Sequence, residues 1–139
     1  MDELVLLTEE DFSLDEICGK MRTPSTGGLV AFLGVVREDN PEGRVRALDF
    51  EAYREMAVEE MLRLKRLVME KYRLENVAIL HRVGRLKAGE NIVLIVAAGA
   101  HREECFQAAK FLIDELKRSV PIWKKELYEE RERWVEGEH

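Results

Sequence analysis

Gly99-Ala100-His101-Arg102 stands between an apolar run and an amphipathic one, which puts two small residues and two basic ones at the start of a predicted helix. The free N–H groups of a helix start, at the positive end of its dipole, favour phosphate or carboxylate. Two small residues leave room for such a ligand, and His101 and Arg102 would add side-chain donors. The plainer account is a tight turn with both basic groups in water. Basic groups there oppose the dipole by about a few tenths of a kcal/mol each, so an anion is a reasonable compensator.

A second cluster follows in Lys117, Pro121 and Trp123-Lys124-Lys125-Glu126. A lysine in a last helical turn ordinarily complements the carbonyl end of the dipole, and this account suffices for Lys117 alone. On an extended segment Lys124 and Lys125 point to opposite faces, so one of them, Lys124 by preference, can join Lys117 in a pocket. Neighbouring cations and partial burial would lower the proton affinity of such a lysine toward a range useful for proton transfer. The third candidate is Gly34-Val35-Val36-Arg37, where an apolar strand ends at a guanidinium suited to bidentate phosphate binding. An arginine at a strand end is also a common surface residue.

These groups need a scaffold, and the chain of 139 residues is long enough for one domain, 1–139, with its own core. The apolar fraction of 46% and the charged fraction of 36% exclude disorder by composition. A net charge of −6 argues against a general nucleic-acid binder, so any anion site must be local. Acidic residues near the N-terminus and the lack of an apolar run of about 18 residues point to the cytoplasm. Cys18 and Cys105 have no spacing suited to a metal or a disulfide framework and read as buried thiols. No glycine-rich nucleotide fingerprint is present.

The apolar pattern predicts a strand over residues 3–7 and a helix over 13–22 opened by the capping pattern Ser13-Leu-Asp-Glu16. Residues 29–36 read as a central strand and 45–52 as its hairpin partner, with a mobile tip at EDNPEG. Helices are predicted over 54–72 and 101–118, the second with Cys105, Ala109, Leu112 and Leu116 inward. Runs 77–83 and 91–98 read as a hairpin joined by GRLKAGE, and 122–128 as a last short strand before a charged tail. Hairpin-linked strands with three helices make an α+β domain.

In order along the chain, GVVREDN (34–40), ILHRVGRLKAGE (79–90), AHREECFQAAKFLIDELK (100–117), PIWKKE (121–126) and RW (133–134) resemble the catalytic (large) subunits of molybdopterin synthase, the MoaE family. The resemblance covers nearly the whole chain. It implies an α/β hammerhead with an additional antiparallel β subdomain. It also implies a sulfurtransferase of molybdenum cofactor biosynthesis that converts cyclic pyranopterin monophosphate (precursor Z) to molybdopterin. The sulfur comes from the C-terminal Gly-Gly thiocarboxylate of a small ubiquitin-like carrier, within a heterotetramer built on a homodimer of large subunits. By the same resemblance Val35, Val36 and Arg37 meet the substrate, and His101 and Arg102 are contributed across the dimer. Lys117 and Lys124 are catalytic, and Lys117, Lys124, Lys125 and Glu126 line the substrate site. No metal, cofactor, nucleic acid or membrane is implied. Preorganised cations suit the meeting of two anions, a cyclic phosphate and a thiocarboxylate. Two other readings use the same residues: a non-catalytic regulatory module that binds a phosphometabolite, and an enzyme forming a Schiff base on a desolvated lysine.

Overall fold

In the computed structural model, which describes residues 2–40, 43–128 and 132–135, two of the most apolar runs become the central strands of a sheet. β6 (Asn76–Arg82) and β8 (Asn91–Gly99) are antiparallel neighbours, with Ile79 opposite Ile95 and Leu80 opposite Leu94. β1 (Val5–Thr8) runs parallel to β6 on one side, and β2 (Gly28–Val35) runs antiparallel to β8 on the other. Successive side chains of a strand point to opposite faces, so both faces of this apolar centre need cover. Helix α1 (Leu14–Met21) buries Ile17 and Met21 against Ala78, Leu80, Leu94, Val96 and Ala98. Helices α2 (Arg54–Lys71) and α3 (Arg102–Ser119) contribute to the core on the opposite face, with Val77, Ile79, Val93, Ile95 and Ala97.

The helices form where their local signals stand. Ser13 Oγ accepts the Glu16 N–H at 3.2 Å, satisfying one of the free donors that start α1. Ala57, Met61, Leu64 and Val68 line the buried stripe of α2. That helix stops at Arg73, which takes the left-handed conformation (φ 54°), and the flanking Tyr72 and Leu74 N–H groups return to the Val68 and Met69 carbonyls. In α3 the expected Cys105, Ala109, Leu112 and Leu116 are buried, joined by Ala108.

A second, wholly antiparallel sheet is built around β5 (Ala47–Ala52), which pairs with β7 (Gly84–Lys87) and β9 (Ile122–Leu127); β10 (Glu132–Val135) extends it beyond β9. β3 (Asp39–Asn40) and β4 (Gly43–Arg44) make a small ribbon between the sheets in sequence. Leu48, Phe50, Leu86 and Ile122 join the core under α2 and α3, so one apolar cluster ties the two sheets together. The architecture is the expected α+β class, a mixed sheet with helices on both faces plus an antiparallel β unit.

Four expectations are corrected. The run at 29–36 is an edge strand, since among the described residues β2 pairs with β8 alone, and Phe32 and Val35 stay 40% and 43% exposed. It is not the hairpin partner of 45–52, which lies in the other sheet. The GRLKAGE connection contains β7, whose Leu86 is buried opposite Leu48. The charged tail contributes β10 beside β9. Of the expected mobile tip EDNPEG, Asp39–Asn40 and Gly43 belong to the β3–β4 ribbon, and Pro41 and Glu42 lie outside the described residues.

Leu112 has no exposure and sits where α3 meets the core. Leu112→Ala should lower unfolding free energy by about 2–5 kcal/mol, read as a lower urea midpoint with an unchanged slope.

Candidate active site

The β2–β8 ladder sets the distance between the predicted cations. Its register runs from Gly28 opposite Gly99 to Val35 opposite Asn91. Arg37 follows the far end of β2, whereas His101 and Arg102 follow Gly99 and stand beside its near end. At about 3.3 Å per residue, the two groups are separated by roughly 25–30 Å within one chain. Helix α3 starts at the Gly28 end, where the Cys105 Sγ lies 3.7 Å from the Gly28 carbonyl. It packs on β8 and β2, and its 18 residues return about 27 Å along them, which brings its last turn, with Lys117, toward the Arg37 end. Arg37, His101, Arg102 and Lys117 are all exposed and form no ion pair among the described residues.

After Val120 and Pro121 the chain enters β9, and period-two alternation separates the neighbouring lysines as expected. Lys124 stands opposite the buried Phe50 and is itself half-buried. Lys125 stands opposite Asp49, its ammonium 3.4 Å from Glu132 and 5.1 Å from the Trp134 ring centre. Glu126 accepts the Tyr128 hydroxyl at 2.9 Å. Of Val35 and Val36, expected to meet the substrate, the first is exposed and the second buried.

At the start of α3 the space beside Gly99 is taken by its neighbours. A Cβ on Gly99 would come within 3.3 Å of Cys105 Sγ and 3.4 Å of Leu74 Cδ2. A Cβ on Gly27 would collide with the Ala100 carbonyl, and the Gly27 N–H donates to the Gly99 carbonyl at 2.9 Å. The small side chains therefore serve close approach of the chain to itself. Glu103 and Glu104 in the first turn already complement the dipole. Glu75 accepts the Thr26 and Thr23 hydroxyls at 2.7 and 3.2 Å, which hold its carboxyl below the usual range and tie the preceding loop down.

Open clefts occur where the residue patterns did not point. One of about 560 Å³ is lined by Glu9, Phe50, Glu51, Tyr53, Arg54, Val83 and Trp123, among others. Another of about 370 Å³ is lined by Glu51, Tyr53, Trp123, Trp134 and Val135. Tyr53 and Trp123 meet edge to face with ring centres 4.7 Å apart. The signal for this surface was two tryptophans and a tyrosine in otherwise polar segments, which period alone does not bring together. Among the described residues no helix is long and apolar enough to cross a membrane, and no group of three or more His, Cys, Asp or Glu is arranged to hold a metal ion.

The family described as MoaE protein matches residues 7–119. The molybdopterin synthase catalytic subunit of Pyrococcus abyssi is 42% identical over 129 residues, 93% of this chain and 87% of its own length. The human molybdopterin synthase catalytic subunit is 33% identical over 132 residues, 95% of this chain and 70% of its own. The crystal structure of molybdopterin synthase from Staphylococcus aureus is similar at a TM-score of 0.92 and 28% identity, over 97% of this chain and 98% of that one. The fold also matches a chain in the complex of subunits 1 and 2 of the molybdopterin-converting factor of Helicobacter pylori, with a TM-score of 0.74 at 19% identity, over 94% and 90% of the two chains. The ordered motifs and these comparisons point to one family.

Cys105 is buried and Cys18 half-buried, and burial is the first cause pushing both thiols above their usual range. The thiolate is the reactive form. At pH 7.5 iodoacetamide should therefore label the native protein slowly at both positions, Cys105 the slower, with labelling about tenfold faster or more after denaturation. Mass spectrometry of timed samples reads this directly.

Proposed function

Because the chain belongs to the MoaE family, the molybdopterin synthase catalytic subunits, we propose that it converts cyclic pyranopterin monophosphate to molybdopterin with two sulfurs from the C-terminal thiocarboxylate of a small ubiquitin-like carrier. On this reading it is a sulfurtransferase that acts in the cytoplasm as a single-domain chain. It forms a homodimer with a carrier at each end. The Helicobacter pylori complex of two subunits is a precedent for a second subunit on this fold.

One observation carries the reading: Arg37 and the His101-Arg102 pair flank opposite ends of β2, an edge strand that leaves Phe32 and Val35 exposed. A twofold axis near the middle of β2 sets the Gly28 end of one copy beside the Val35 end of the other. His101 and Arg102 of one chain then meet Arg37 of its partner, and the exposed apolar side chains are covered. Strand edges and apolar patches of this kind call for such cover.

In the assembled site Arg37, with His101 and Arg102 from the second copy, binds the substrate phosphate, and the backbone of Val35 and Val36 lies along it. Guanidinium forks suit that anion. The extended carrier tail brings its thiocarboxylate to Lys117, which offsets the charge as sulfur bonds to a substrate carbon and the oxygen substituent on that carbon leaves, as water at one carbon and as the phosphate oxygen where the cyclic phosphate opens. Hydrolysis of the resulting thioester returns the tail as a carboxylate, and a second carrier repeats the transfer. Lys124, half-buried beside Phe50, binds substrate and transfers a proton as the cyclic phosphate opens. Lys125 and Glu126 frame the same strand. The transferred sulfur need not pass through Cys105 or Cys18.

The deciding assay is dithiolene formation from cyclic pyranopterin monophosphate and a thiocarboxylated carrier. Product should form with the parent, and folded Lys117→Ala and Lys124→Ala should each lose about a hundredfold or more in rate. No product, with the carrier active on another synthase, would leave a non-catalytic phosphometabolite-binding module instead.

A further inference from the structure

We propose that Glu90, backed by Arg82, is a positioning residue that sets the aim of Arg37; the inference rests on Arg37 as a substrate contact. Both residues lie in the ILHRVGRLKAGE motif (79–90), to which the proposed reaction assigns no role. The chain leaves β2 through Val36, and the turn between β7 and β8 holds that residue by two backbone bonds. The Val36 N–H donates to the Glu90 carbonyl at 2.9 Å, and the Val36 carbonyl accepts the Gly89 N–H at 2.8 Å. Just before this clamp the ladder is irregular: Gly34 stands opposite Val93 but Val35 opposite Asn91, leaving Ile92 as the extra residue. A bulge bends a ladder and redirects the side chains beyond it.

Glu90 holds the clamp in shape. Its Oε2 accepts the Lys87 N–H at 2.5 Å, and its own N–H donates to the Lys87 carbonyl at 3.0 Å. Gly89 supplies the positive φ, 89°, that the turn requires. Behind the turn stands Arg82, buried in the sheet. Its Nη1 lies 3.7 Å from Glu90 Oε1 and donates to the Asn91 carbonyl at 3.3 Å, and its Nη2 donates to the Glu9 carbonyl at 3.1 Å. A buried guanidinium anchored on two carbonyls is a rigid base for the exposed turn. Arg37 follows one residue after the buried, doubly bonded Val36, so its starting direction is set by this turn.

Steady-state kinetics on Glu90→Ala, Glu90→Gln, Arg37→Ala and the Arg37→Ala/Glu90→Ala double variant test the proposal, with cyclic pyranopterin monophosphate varied at saturating thiocarboxylated carrier. Misaimed but intact binding groups raise KM and spare kcat. Glu90→Ala should raise KM about fivefold with kcat within about twofold. Glu90→Gln, which keeps an acceptor for the Lys87 N–H, should stay within about twofold of the parent. Residues acting through one another are not additive, so the double variant should match Arg37→Ala alone. Multiplied effects in the double variant, a fall in kcat at unchanged KM, or parental kinetics in Glu90→Ala beside a raised KM in Arg37→Ala would overturn the positioning role alone. An unchanged KM in Arg37→Ala would remove the substrate contact and the inference with it. Amide exchange in Glu90→Ala should quicken at Val36 and Gly89 and leave β6 protected. Protection lost throughout would make the change a folding effect and count against the role.

Discussion

The antiparallel ladder between β2 and β8 determines where the rest of the molecule can sit. Its hydrogen bonds are nonlocal, joining residues 28–35 to 91–99, and once they form, the chain ends of both strands are assigned to opposite sides of the sheet. The start of α3 is held at one end, where Gly99, Gly27 and Cys105 are packed closely. The exit toward Arg37 is held at the other, where the β7–β8 turn grips Val36. Separation of the basic groups follows from this pairing.

The same pairing leaves an edge. β8 and β6 are covered on both faces by helices and are almost fully buried, while β2 presents a free side with Phe32 and Val35 exposed. The second sheet does not shield that side, because β5 leaves the ribbon after β2 to pair with β7 and β9. One core nevertheless joins both sheets through Phe50, Leu48 and Leu86, so β9, which carries Lys124, is placed relative to α3 by packing as well as by the short connection at Pro121. Rigid scaffolding of this kind would suit the proposed site, whose cations must be held before two anions arrive.

Much of this was legible in the sequence, for local reasons. The stripes of α2 and α3 repeat every three or four residues, and Ser13 announces α1, so these elements needed no tertiary information. The opposite facing of Lys124 and Lys125 follows from strand period alone. β2 was misread as central because a continuous apolar run looks the same whether helices or another surface cover it. β7 was hidden because four residues with a single buried leucine carry no period, and β10 because its Trp134 is set among charges. The distance between Arg37 and Arg102 was illegible because it depends on which strands pair. The ordered motifs did point to the family, since their spacing spans residues 34–134.

Complementation between two variants impaired at substrate concentrations below the parental KM tests the proposed shared site most directly. Arg37→Ala and Arg102→Ala are each assayed for dithiolene formation alone, then after being unfolded together and refolded as a mixture. In a mixed dimer one site inherits both substitutions and the other inherits neither. Statistical mixing therefore predicts recovery to about a quarter of parental activity. Activity no higher than that of the separate variants, with mixed dimers shown to have formed, would contradict a site completed by the second copy.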